Sequence, residues 1–353
     1  MSGRSTAATV LLALGLAACT TERDPAAPPP ASSAVPVPSP SRSGQAGTAD
    51  IMAAAEAFLG TLEGGERDDV LFDRDDREQR QRWSNLPHQV FDRRGLMIGD
   101  LDQAEVDAFL TVMRATLSTE GFDRVMAQWA ADDALAAADG RANLGRPNYW
   151  VAIIGEPSAT EGWQWQFGGH HVTVNATISG DSVSLTPSFL GVQPATYESG
   201  GRTVRPLGDI IDQAFTLVGS LQGGARQRAV LGDTPIDLEL GAGQDCRSIA
   251  PVGLPGSAMN AAQRAAFLDL IGEYGGLGAE RFAAGRLAQL EAELPDTWFA
   301  WHGPTTPGSA AYFRVTGPHV VIEYSPQAMG GDPAEHIHGV YRDPVNDYGG
   351  TVC

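Results

Sequence analysis

His336 and His338, separated by a single residue, are the clearest chemical motif in the chain. Side chains two apart in a strand leave the same face about 7 Å from each other, a common way to offer two imidazoles to one metal ion. A carboxylate such as Glu323 or Glu335 would complete a two-His-one-carboxylate set with positions left open for water or substrate. Two further histidines fall in strand-like segments. Around His171 the alternation puts Val172 and Val174 on one face and His171, Thr173 and Asn175 on the other. Around His319 it separates Val320 and Ile322 from His319 and Glu323. The candidate ligands for a divalent ion, zinc or similar, are therefore His171, His319, Glu323, His336 and His338. The same spacing equally suits half-buried structural histidines bonded to carbonyls, and acid–base use without a metal is a third reading. His170 and His171 follow Gly168-Gly169. In a regular strand their rings point to opposite faces, so one of the two at most belongs to a site.

The stretch Tyr341 to Gly349 holds a second group, Arg342, Asp343 and Asp347. A guanidinium fixed by carboxylates can orient a neighbouring histidine or hold an anionic substrate group. With Asn175 on the His171 face, these are the candidate catalytic side chains. Asp-Pro, Asn-Asp and Tyr-Gly-Gly are also turn chemistry, so the segment reads as a turn as well.

Composition removes several alternatives. Of the 353 residues none is Lys, so all 24 basic residues are Arg. A P-loop, a Schiff-base or pyridoxal enzyme, a kinase clamp and a Ser-Lys hydrolase each need the missing side chain. A net charge of −19 disfavours nucleic acid as a partner. No GxSxG, HExxH or CxxC motif is present.

At the N-terminus, Arg4, the apolar run Thr9 to Leu16 and Leu16-Ala17-Ala18-Cys19 read as a lipoprotein signal peptide over residues 1–18, with Cys19 as the lipidated residue. Residues 19–48, rich in Pro, Ala and Ser, cannot bury enough surface to fold and read as a disordered tether. The expectation is export and a lipid anchor in the bacterial cell envelope, facing the periplasm or on the outer membrane, with the membrane as a partner through Cys19. Cys246 and Cys353 either form one disulfide or stay unrelated thiols.

Residues 49–353 read as a single α+β domain. Helices are expected at residues 51–62, at 100–117 with Asp100 as N-cap, and at 120–138; strands follow at 149–154, 163–167, 172–178 and 182–185. The order returns with helices at 209–221, 260–274 and 279–294 and strands at 298–301, 312–315, 319–324 and 336–341. A gap-free offset of 148 pairs Trp150 with Trp298, Gly169 with Gly317, His171 with His319, Gly191 with Gly339 and Val192 with Val340. These matches suggest an internal repeat, about 100–192 and 259–340: two αα-plus-β halves forming one pseudo-twofold domain with a site where they meet. Trp163, Trp165, Trp298, Trp301, Tyr312 and Phe313 are core residues or, if exposed, a platform for sugar rings.

Several segments together resemble a bacterial and fungal family, domain of unknown function 3500 (DUF3500): Trp83-Ser84-Asn85-Leu86-Pro87, Trp163 through His171 with Asn175, Thr186 through Gly191, Glu335 through Pro344, and Asp347-Tyr348-Gly349. They span about residues 50–350. The resemblance implies no particular activity. The residues themselves point to metal-assisted hydrolysis, with Arg342 holding an anionic group of the substrate. The alternative is a non-catalytic envelope protein that binds a glycan or another small ligand on aromatic strands.

Overall fold

A computed structural model describes residues 47–350. The signal segment, Cys19, the tether as far as residue 46, and Cys353 lie outside the described residues. Cys246 is disulfide-bonded.

The helices are α1 (Thr48–Thr61), α2 (Gly64–Val70), α3 (Arg77–Arg80), α4 (Gln103–Thr116), α5 (Thr119–Asp139), α6 (Gly208–Ser220), α7 (Gly223–Ala229), α8 (Ala261–Gly275) and α9 (Glu280–Glu293). The strands are β1 (Leu71–Phe72), β2 (Leu96–Met97), β3 (Trp150–Ile154), β4 (Trp163–Gly168), β5 (Val172–Ser179), β6 (Ser182–Ser184), β7 (Ser188–Leu190), β8 (Tyr197–Ser199), β9 (Arg202–Val204), β10 (Val230–Gly232), β11 (Leu254–Pro255), β12 (Trp298–His302), β13 (Tyr312–Thr316), β14 (Val321–Pro326) and β15 (Ile337–Arg342). No helix among the described residues is long and apolar enough to cross a membrane.

Local chemistry sets the helix starts. Asp102, rather than Asp100, caps α4: its carboxylate accepts from Glu105 N–H at 2.9 Å while Glu105 accepts from Asp102 N–H at 2.7 Å. Asp100 instead closes a short 3₁₀ turn. Asn260 and Gln263 make the same reciprocal pair before α8, at 2.9 and 3.0 Å.

Among the described residues, thirteen strands form one mixed sheet in the order β1-β3-β4-β5-β7-β15-β14-β13-β12-β10, with β2 on β3, β6 on β5 and β11 on β12. Outward from the central β7–β15 pair, both sides run through three antiparallel strands to a short parallel edge strand, β1 against β3 and β10 against β12. The offset of 148 holds through the ladders of β3 to β5 and β12 to β14, where Gly168 faces Thr173 as Thr316 faces Val321. It fails in the next strand. Thr173 faces Phe189 whereas Val321 faces Arg342, an offset of 153, so Gly191/Gly339 and Val192/Val340 are not equivalent ladder positions.

Strand alternation gives the sheet two unlike faces. Trp163, Trp165, Phe167, Val174, Phe299, Trp301 and Phe313 are buried in the main apolar core. Phe109 of α4 packs edge-on to Trp165 at 5.8 Å, Trp129 of α5 to Phe167 at 5.1 Å, and Phe215 of α6 to Trp301 at 5.0 Å. The opposite face carries Gln164, Gln166, Thr173, Asn175, Tyr312, Arg314 and Glu323, and these are buried too. Chain segments lying across it supply their partners, as buried polar groups require. Gln79 Nε2 donates to Gln166 Oε1 at 2.9 Å, and Gln166 Nε2 donates to the Arg80 carbonyl at 2.8 Å. On the other half, Ser325 Oγ donates to the Ile236 carbonyl at 2.8 Å.

Candidate metal centre

His171 lies immediately before β5, His338 is the second residue of β15, and His336 ends the short 3₁₀ turn that leads into β15. The continuation of β7 joins them. Gly191 N–H donates to the His171 carbonyl at 2.8 Å, and Val192 and Ile337 exchange backbone hydrogen bonds at 2.8 and 2.9 Å. Position 191 admits only glycine, because a Cβ there would come within 2.7 Å of both the Ile337 carbonyl oxygen and the Phe189 ring. From α5, Gln128 Nε2 donates to the Gly191 carbonyl at 2.8 Å and holds the crossing in place.

Three imidazoles meet there. His336 Nε2 stands 3.0 Å from His171 Nε2 and 3.1 Å from His338 Nε2. Nitrogen ligands of a tetrahedral zinc at 2.0–2.1 Å are roughly 3.3 Å from one another. The tautomer of His336 follows from its other nitrogen: Nδ1 lies 2.7 Å from the Met329 carbonyl, which can only accept, so Nδ1 carries the proton and Nε2 presents a lone pair. The side-chain amide of Asn85 lies 3.4 Å from His338 Nδ1. His171 is fully buried, His336 nearly so, and His338 is partly open to solvent beside Asn85.

Burial, reinforced by the neighbouring His170, pushes His171 down to about 3; burial and the adjacent His171 and His336 push His338 down to about 2; burial also lowers His336. At neutral pH the three rings are uncharged, the form in which imidazole binds a metal.

Behind the triad, Asp132 of α5 is almost completely buried. It lies 2.9 Å from His170 Nδ1 and 3.8 Å from His171 Nδ1, and its second oxygen accepts Gly145 N–H at 2.9 Å. Burial works to raise the Asp132 pKa, but His170 and His171 overcome it and hold the carboxyl well below the usual carboxylate range. The rings of His170 and His171 are 3.6 Å apart, centre to centre. The expectation of opposite faces fails because both residues sit in a bend before β5 begins. These residues form two groups of donors that can hold a metal ion: His171, His336 and His338, and Asp132, His170 and His171.

The remaining predicted residues stand elsewhere. His319 Nδ1 faces Glu293 at 2.6 Å, away from the triad. Glu323 is fully enclosed, accepting from Glu239 N–H at 2.9 Å, Leu240 N–H at 2.8 Å and the Tyr312 hydroxyl at 2.7 Å, so its lone pairs go to holding the covering segment. Asn175 joins the polar network through Gln166 at 2.9 Å and the Pro187 carbonyl at 2.8 Å. Arg342 donates to the Leu240 and Gly241 carbonyls and to Asp245 and Asp347, which binds the chain segment at 240–245 to the C-terminal turn. Asp343 receives Arg286 at 2.7 Å. Arg342, Asp343, Asp347 and Asn175 are thus committed to internal structure.

Three partners of the triad do not stand out in the sequence: Asp132, Asn85 and the Met329 carbonyl. For Asp132 a signal exists. Phe122, Val125, Trp129 and Leu135 make the apolar face of α5, and Gln128 and Asp132 fall on that same face.

Residues 44–350 match the family described as protein of unknown function (DUF3500). No curated protein and no solved structure matches the chain. With the whole described region inside that match, the chain belongs to the DUF3500 family.

Proposed function

We propose that His171, His336 and His338 bind one divalent metal ion, zinc or copper in type, through their Nε2 atoms, and that the protein is a metal-dependent hydrolase of the bacterial cell envelope. One observation carries the reading. Three uncharged imidazoles, two buried and one half-buried, bring their Nε2 atoms together, and the single lone pair on His336 can accept one N–H at most. A cation satisfies all three nitrogens together. Neutral ligands leave the ion's charge undiminished, which favours lowering the pKa of a bound water toward about 7. The half-open side of His338, next to Asn85, is the direction from which water and substrate would enter. The Met329 carbonyl and Asn85 hold the rings in orientation.

The finer organisation belongs to the same proposal. The order of strands about β7 and β15 supports two halves related by a pseudo-twofold axis, which the offset of 153 places at the Ser188–Tyr341 pair. His171 then comes from the first half and His336 and His338 from the second. A signal peptide over residues 1–18 and lipid on Cys19 would put the site outside the cytoplasm. Burial of Trp163, Trp165, Trp301, Tyr312 and Phe313, with Trp298 half-buried, weighs against the glycan-platform alternative.

The test is elemental analysis of the metal-replete mature protein beside a His336→Ala/His338→Ala double variant. Stoichiometric zinc or copper is expected in the wild type, with at least one ion fewer in the variant. Wild type without stoichiometric metal overturns the proposal.

A further inference from the structure

We infer that the centre is binuclear, resting on the three-histidine reading above: a second divalent ion binds between Asp132 Oδ1, His170 Nδ1 and His171 Nδ1, and the His171 ring bridges the two ions. A carboxylate that only oriented His171 would receive its ring N–H at hydrogen-bond length. Here Asp132 Oδ1 is 3.8 Å from His171 Nδ1 and 2.9 Å from His170 Nδ1. His171 Nδ1 is consequently a buried polar atom with no hydrogen-bond partner, in a side chain 1% exposed. The two separations bracket the roughly 3.3 Å expected between donors sharing one tetrahedral zinc. The two rings are tilted by 34° and are not stacked in parallel, and the donor atoms of Asp132, His170 and His171 all lie within 4.8 Å of one another. Asp132 Oδ2 is already taken by Gly145 N–H, which leaves Oδ1 as the donor facing the rings.

Part of the added charge is offset as well. Two divalent ions among imidazoles alone would leave an enclosed excess of positive charge, whereas Asp132 supplies one negative charge and the bridging ring a second. A neutral imidazole carries a proton on one nitrogen. Binding through both nitrogens therefore releases the His171 ring proton to solvent as the second ion enters. The inner position is closed by protein, which suits an ion that tunes the shared ring. The outer position, beside the half-open His338, is where substrate would meet the metal.

Dialysis of the mature protein against Zn²⁺, followed by elemental analysis, tests this. Two ions per chain are expected in the wild type, and one in each of Asp132→Asn, His170→Ala and His338→Ala. One ion in wild type and none in His338→Ala overturns the second position while leaving the triad standing. No ion in wild type overturns both readings. Loss of both ions in Asp132→Asn also overturns it, making Asp132 an orienting residue. A measurement on the unmutated protein stands beside the variants: with copper at both positions, coupling through the His171 ring makes the EPR signal integrate to less than the bound copper. A signal equal to the copper content overturns the bridge.

Discussion

His171 and His336 bring their Nε2 atoms within 3.0 Å of each other across 165 residues of chain. The contact depends on β7, whose extension pairs with the His171 end of β5 on one side and the start of β15 on the other. The centre is thus assembled by sheet topology rather than by a local motif, and its geometry is as rigid as the three strands that define it.

The metal-free protein loses stability as the pH falls. His171, His338 and His336 are all held below their ordinary value in the fold, mainly by burial, so below about pH 6.5 the unfolded chain takes up protons that the folded one refuses. Their contribution is fully present above that pH and is lost progressively as it drops toward about 3, the value for His171. Each ring contributes a slope of up to about 1.4 kcal/mol per pH unit. Urea unfolding at pH 7.5, 6, 5 and 4 checks this: the midpoint should fall at each step, and less steeply in His338→Gln. A flat profile would mean that the rings take up protons in the fold as readily as in the unfolded chain.

Replacing Gly191 by Ala should disturb the site from a position that touches no ligand atom. The added methyl meets the Ile337 carbonyl and the Phe189 ring, so the strands separate. Overpacking of this kind costs about 1–3 kcal/mol, and a loosened ligand shell lowers metal affinity roughly 10- to 100-fold. Gly219 of α6 is the control, since a Cβ there meets nothing within 4 Å. Gly219→Ala should raise stability by about 0.5–1 kcal/mol through helix propensity. Thermal melts of the two variants should move in opposite directions and metal titrations should weaken for Gly191→Ala alone; equal behaviour would remove the steric explanation.

Glu323 separates a ligand role from a structural one. Three donors converge on its carboxylate, two of them backbone N–H groups that cannot turn away. In Glu323→Gln the amide places an N–H against one of these donors. The expected loss is about 1–3 kcal/mol, as for a buried donor left without its acceptor, with the metal content unchanged. A folded Glu323→Gln protein that loses metal would return this residue to the site.

What the sequence disclosed and what it hid follow from the same physics. The one-residue spacing of His336 and His338 and the place of His171 beside a strand made those three legible, although His171 lies in the bend before β5 and His336 in the turn before β15, where strict alternation does not apply. The repeat misled for His319. Its offset partner His171 lies beside the extension of β7, whereas His319 lies in a bend before β14, whose pairing with β15 is displaced by five residues, and faces Glu293. Asn175 and Glu323 occupy equivalent ladder positions on the covered face. A buried polar side chain there looks identical to a catalytic one until the covering segment and its N–H groups are in view. Asp132 was hidden by its neighbour, because Asp132-Asp133 reads as a solvated helix surface although only Asp133 is on it.

Asn85 offers the most selective probe of the outer position. Its amide lies 3.4 Å from His338 Nδ1, and its backbone belongs to the segment that Arg93 pins by donating to the Ser84, Leu86 and Gly169 carbonyls, each at 2.7 Å. Arg93 therefore sets where the segment lies, and the Asn85 side chain sets how the His338 ring is turned. Asn85→Ala should leave the fold intact, since the backbone anchors remain, and the half-exposed site tolerates the lost amide. With a metal on Nε2 the proton sits on His338 Nδ1, so the amide must turn its Oδ1 toward the ring in place of the nitrogen that faces it in this structure; losing that acceptor should lower metal affinity roughly 10- to 100-fold. Asn85→Asp should recover most of it, because a carboxylate accepts the Nδ1 proton and favours Nε2 as the ligand. Competition with a chromophoric chelator gives both affinities. An Asn85→Ala protein binding as tightly as wild type would show that His338 is oriented by packing against Phe189, 5.4 Å away between ring centres, and not by its hydrogen-bond partner.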